Sequence, residues 1–143
     1  MPLFKPTIAA VATVLISACA TPGSNMSSSQ PASLNILQAG EWKVEDIGGQ
    51  GVIDNSPATL LFSKDGKLSG NASCNRLIAS YTVNGTKLTI SPAGTTMMAC
   101  APALMNQEQK LVDLLSTVTS YSIDQTGALI LASTSGKKLI ARR

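Results

Sequence analysis

T-L-L-F-S-K-D-G-K-L-S-G, Thr59 to Gly70, decides the fold class. Thr59 to Ser63 is a short apolar run of strand length. Asp65-Gly66 closes it with a tight hairpin turn, because glycine supplies the positive φ that such a turn requires. Lys67 to Gly70 then runs back. The same pattern recurs downstream, where Ile78 to Val83 alternates, Asn84-Gly85 turns and Lys87 to Ile90 answers. Upstream, Glu41 to Ile47 (E-W-K-V-E-D-I) points Trp42, Val44 and Ile47 inward, the last out of strict period two, before a turn at Gly48-Gly49 and Gly51.

Further out the period changes. Residues 91–101 form a loop that carries Cys100, and Pro102 suits the first turn of a helix, where its missing N–H costs nothing. Ala103 to Val118 follows as that helix. Leu104, Leu111, Leu115 and Val118 fall on one stripe, Glu108 lies one turn from Leu104, and Gln107, Lys110 and Asp113 are expected to face water. Ser120 to Ile123, Leu129 to Leu131 and Lys138 to Ala141 read as strands joined by turns at Asp124–Gly127 and Ser135-Gly136. Strands, one helix and more strands, mostly joined by tight turns, predict a single small α+β domain. Its expected architecture is a largely antiparallel curved β-sheet or half-barrel packed on one α-helix.

The N-terminus has a different grammar. Lys5 is a short positive region, and Ile8 to Ile16 is an uncharged apolar run. That run is far short of the roughly 20 residues a membrane-spanning helix needs and has the length of a signal-peptide core. Ile16-Ser17-Ala18-Cys19 follows, and it resembles a bacterial lipobox, with small side chains for the peptidase cleft and a thiol to take the lipid. The plainer alternative is an ordinary secretory signal ending beside an incidental cysteine. The expectation is that residues 1–18 are a lipoprotein signal peptide and that Cys19 is the lipidated first residue of the mature chain. Residues 19–33 are a Ser-, Pro- and Gly-rich flexible tether with a root-mean-square span of roughly 20 Å, and residues 34–143 are the domain. Ala20 follows the cysteine where an inner-membrane lipoprotein tends to carry Asp. The expected location is therefore the bacterial envelope, lipid-anchored to the membrane, with the outer membrane favoured.

Composition excludes more than it proposes. The chain of 143 residues has no histidine, which removes the usual general base, the Ser-His and Cys-His pairs and the commonest metal ligand. A net charge of +3, or +2 without the leader's Lys5, is too weak to suggest nucleic acid. Lys137-Lys138 and Arg142-Arg143 are the largest basic clusters, and neither has aromatic residues among it. No catalytic acid pair, nucleophile elbow, phosphate loop or dinucleotide fingerprint is present. No enzyme activity, cofactor or metal is expected.

Two features remain. Cys74 and Cys100 are the thiols left over once Cys19 is assigned to lipid, and an exported compartment favours their pairing as a structural disulfide. A redox or nucleophilic cysteine, or a two-cysteine metal site, is the alternative. Asn75-Arg76 follows Cys74 directly. Either it is local structure, with Asn capping a turn and Arg pairing with Glu108 or a carbonyl, or it belongs to a partner-binding surface.

The stretch Ser69 to Tyr81, S-G-N-A-S-C-N-R-L-I-A-S-Y, resembles the signature of the META-domain (HslJ-like) family, roughly S-G-x-x-G-C-N-R-x-x-G-x-Y. Gly70, Cys74, Asn75, Arg76 and Tyr81 match, while Ser73 and Ala79 stand where the pattern has glycine. Thr96-Met97-Met98-Ala99-Cys100 matches the family's T-x-M-A-C, and Met105 to Glu108 matches the M-x-x-E that opens its helix. Trp42 matches an opening tryptophan. Pro57 to Phe62 matches P-x-L-x-F with one extra residue. The resemblance covers about residues 40–141. It implies a compact α+β domain, often on an envelope lipoprotein, linked to heat shock and antibiotic tolerance and similar in fold to secretion-system pilots. The expected function is that of a non-catalytic envelope lipoprotein supporting heat or envelope stress tolerance by binding a protein or hydrophobic ligand. A pilot or assembly factor for a secretion or surface apparatus is the alternative.

Overall fold

A computed structural model describes residues 32–143. The expected signal peptide, Cys19 and the expected tether up to Pro31 lie outside the described residues. The elements in chain order are α1 (Ala32–Leu37), β1 (Glu41–Ile47), β2 (Ala58–Phe62), β3 (Lys67–Ala72), β4 (Arg76–Asn84), β5 (Lys87–Ile90), β6 (Gly94–Thr95), α2 (Pro102–Leu115), β7 (Val118–Ile123), β8 (Leu129–Ser133) and β9 (Lys138–Arg142). Gly66, Gly85 and Gly136 hold φ of 80°, 63° and 78° at the hairpin turns expected of them.

The half-barrel expectation is corrected in one respect, because the sheet closes. Its order is β3-β2-β1-β9-β8-β7-β5-β4, and β4 pairs back to β3, which makes an antiparallel barrel of eight strands. Closure turns on β4. Its residues Arg76 to Ser80 pair with β3, and Tyr81 to Asn84 pair with β5. The β5–β7 seam is thin, with one register pair, Lys87 and Ser120, and a bond from the Tyr121 amide to the Thr86 carbonyl at 3.0 Å. A barrel of this size has an interior just wide enough for side chains to fill. Trp42, Phe62, Leu60, Leu68, Leu77 and Leu131 are fully buried inside it. In β1 the pairing with β9 shifts register between Val44 and Asp46. That bulge returns Ile47 to the interior, which accounts for the broken period.

A helix covers each mouth. At one mouth Leu37 of α1 is fully buried, and its carbonyl accepts from Trp42 Nε1 at 2.9 Å. Gln38 Nε2 donates to the Tyr81 hydroxyl at 2.7 Å, and that hydroxyl donates to the Ser63 carbonyl at 2.6 Å. Burial pushes the Tyr81 phenol above its ordinary value of 10.0, against the opposing effect of the Gln38 bond. α1 begins at Ala32, inside the expected tether, and its six residues are too few to display a helical period.

At the other mouth α2 buries Leu111, Leu114 and Leu115 against the ends of β1 and β3. Its stripe differs from the expected one. Leu104 is only half-buried, Val118 already belongs to β7, and Gln107, expected in water, is buried. Gln107 is buried because its amide has partners. Its Nε2 donates to Ser56 Oγ at 3.0 Å and Ser73 Oγ at 2.7 Å, and its Oε1 accepts from the Ile53 amide at 2.7 Å. A fully bonded amide removes the cost of desolvation.

Candidate functional site

The mouth under α2 gathers the residues that the sequence singles out. The β3–β4 turn supplies Ser73, Cys74 and Asn75. Ser73 sits at φ 105°, a conformation that favours glycine, and it stands where the signature has glycine. The Asn71 side chain accepts from the Ser73 amide at 2.9 Å, and Ser73 Oγ is held by Gln107. These bonds offset the backbone strain. Cys74 and Cys100 stand at disulfide distance, with Cα atoms 6.0 Å apart, so the turn is fastened to the segment that precedes α2.

Asn75 is 2% exposed and organises that segment. Its amide and its Nδ2 donate to the two carboxylate oxygens of Glu108 at 2.7 and 3.0 Å. Its Oδ1 accepts from the Met98 amide at 2.6 Å and from Thr96 Oγ at 3.1 Å. Nδ2 also reaches the Met98 carbonyl at 3.4 Å. One side chain thus does for residues 96–98 what a neighbouring strand would otherwise do. The loop reading of 91–101 needs one correction, since Gly94–Thr95 forms β6 on the free edge of β4.

The partner-surface reading of Asn75-Arg76 therefore divides. Asn75 is buried, with its side chain turned to Glu108 and to residues 96–98. Arg76 is exposed and does not contact Glu108; its amide donates to Thr96 Oγ at 3.0 Å while its side chain points outward. It borders an open groove of about 880 Å³ that crosses the outside of β2 and β3, from Glu41 past Gly70 to Met98.

What the clamp holds outward is apolar. Met97 is 97% exposed, Met98 59% and Met105 44%, and together they line a hollow of about 280 Å³ over Asn75 and Glu108. These are all the methionines among the described residues, and none serves the core. Methionine ordinarily fills gaps in cores, so three on one surface are out of place for packing. In the sequence these methionines stand only as matches to the family signature, and the signal for an apolar face is T-T-M-M-A-C beside a helix with Met105 in its first turn. A second hollow, of about 320 Å³, lies between α2 and the sheet edge, with Ile47 and Leu114 at its base and Lys110 and Lys137 at its rim.

The fold and clamp define a class, an eight-stranded antiparallel barrel closed at both mouths by helices, with the β3–β4 turn bonded to α2. A family model for the META domain matches residues 35–143, and the chain belongs to the META-domain family. Comparison with curated proteins gave no match. Among solved structures, the chain is similar to a protein from Burkholderia xenovorans studied by NMR, at 24% identity and a TM-score of 0.60, over 76% of this chain and 84% of that one. A DUF4847 family protein from Bacteroides vulgatus shares the fold at 17% identity and a TM-score of 0.54, over 75% and 93% of the two chains.

Proposed function

We propose that this protein is a non-catalytic lipoprotein of the bacterial envelope, anchored through Cys19, that supports heat or envelope stress tolerance by binding an apolar segment of a partner protein. The observation that carries the binding is the methionine face. Flexible, polarisable methionines suit surfaces that accept varied apolar partners. Here they are mounted on a segment held by a disulfide and by Asn75, so the face is available without first ordering a loop. The face also lies at the mouth covered by α2, away from α1, where the chain enters the domain.

Photo-crosslinking in cells tests it. A crosslinker at Met97 or Met105 is expected to capture a protein whose yield rises on heat shock, whereas one at Thr126, at the opposite mouth, captures none. Equal capture at both mouths, or none at either, refutes the reading. Mass spectrometry of the mature N-terminus tests the anchor, since an unmodified start downstream of Cys19 refutes it. The pilot or assembly-factor alternative draws on the hollow between α2 and the sheet, and crosslinks centred on Lys137 rather than Met97 would favour it.

A further inference from the structure

The methionine face supports a second kind of ligand. From the position of Met97, Met98 and Met105 on one hollow we infer that this protein binds a soft monovalent metal ion, copper(I), through three thioethers. Thioether sulfur is a soft donor that selects such ions over the hard divalent ones. Sites of this kind fail where better soft ligands compete, and the chain offers few. It has no histidine, and Cys74 and Cys100 are engaged with each other.

The backbone that carries two of the three donors is pinned. Met98 is held at its amide by Asn75, and Met97 lies between it and Thr96, which also bonds Asn75. Met105 comes from the first turn of α2, which Glu108 ties to the same asparagine. The side chains remain free to swing inward, Met97 most of all. Glu108 also borders the hollow and supplies the one acidic side chain there, while Arg76 borders the neighbouring groove instead. Binding is simple coordination with no electron transfer, and displaced water is the only leaving group. It uses the same face as the proposed partner contact, but it requires sulfur where that contact requires only apolar surface, so the two readings fail separately.

The test uses the full chain with Cys19→Ser, to remove the remaining thiol, and methionine labelled with carbon-13 at the methyl group. Silver(I) is the probe, as an air-stable ion of the same softness and charge. The methyl signals of Met97, Met98 and Met105 are expected to shift together and saturate at one equivalent, while those of Met1 and Met26 stay in place. The triple variant Met97→Leu, Met98→Leu, Met105→Leu keeps the apolar surface and the fold, since leucine and methionine have similar volumes, and is expected to lose the response. Shifts confined to Met1 and Met26, no shifts at all, or undiminished silver binding by the triple variant would overturn the inference. Heat-dependent crosslinking from position 97 that survives Met98→Leu and Met105→Leu would leave the partner reading standing even then.

Discussion

Replacing Asn75 by alanine tests the structural account most directly. The substitution removes the Nδ2 bonds to Glu108 and to the Met98 carbonyl, and the Oδ1 bonds from the Met98 amide and Thr96 Oγ. The backbone bond from Asn75 to Glu108 survives. Three groups then lose their partner inside the protein, the Met98 amide, the Met98 carbonyl and one carboxylate oxygen of Glu108, while Thr96 Oγ keeps the Arg76 amide. A hydrogen bond to a charged group contributes about 1.5–3 kcal/mol and a neutral one about 0.5–1.5 kcal/mol. The 3.4 Å contact is long enough to count for little. The expected loss is about 3–5 kcal/mol, a large part of the stability of a domain this size.

Urea unfolding followed by the fluorescence of Trp42, the single tryptophan, measures it. Arg76→Ala is the matched control next door, and its exposed side chain predicts a change within about 0.5 kcal/mol. Asn75→Asp sharpens the test. It keeps the acceptor for Met98 but sets a second carboxylate against Glu108, so it should cost more than alanine. A loss below about 1 kcal/mol for Asn75→Ala, or equal losses for Asn75→Ala and Arg76→Ala, would refute the clamp.

The remaining expectations are more local. Cys74→Ser and Cys100→Ser should each cost about 2–5 kcal/mol, and the double variant should be no worse than either single one by more than about 1 kcal/mol; two reactive thiols at 74 and 100 in native protein would contradict the bridge. Leu111→Ala should cost about 2–5 kcal/mol, because Leu111 is fully buried beneath α2; a change within error would remove the helix from the core. Gly70→Ala should exceed the usual overpacking cost of about 1–3 kcal/mol, because its Cβ would land on the Thr59 carbonyl in β2 and backbone cannot swing aside; unchanged melting would contradict the β2–β3 register. Stability should also fall as pH rises through Tyr81's ordinary value of 10.0, since the unfolded chain then releases a proton that the folded one keeps. That slope should flatten in Tyr81→Phe, and an unaltered slope would assign it elsewhere.

Much of the barrel was legible because its turns are chemical. Asp65-Gly66, Asn84-Gly85 and Ser135-Gly136 fix where strands end, and alternation fixes which face looks inward. Closure was not legible. Alternation assigns a residue to a face but never names the strand beside it, and the β5–β7 seam joins Lys87 to Ser120 across the whole of α2. The burial of Gln107 was not legible either, because its partners Ser56 and Ser73 come from segments far away in sequence. β6 is two residues long and has no pattern of its own.

The signature residues explain why family resemblance and function come apart here. Cys74, Asn75 and Glu108 are spent on one another and on residues 96–100, so they describe how a loop is held rather than what it touches. Asn75 and Arg76 show the division at closest range, because successive residues entering β4 face opposite ways. One goes under α2 and the other to solvent. Ser73 supports the same view, since a residue other than glycine persists at φ 105° only because Gln107 and Asn71 hold it there. A device that strained and that well bonded has to fix something, and what it fixes in this chain is the position of Met97 and Met98.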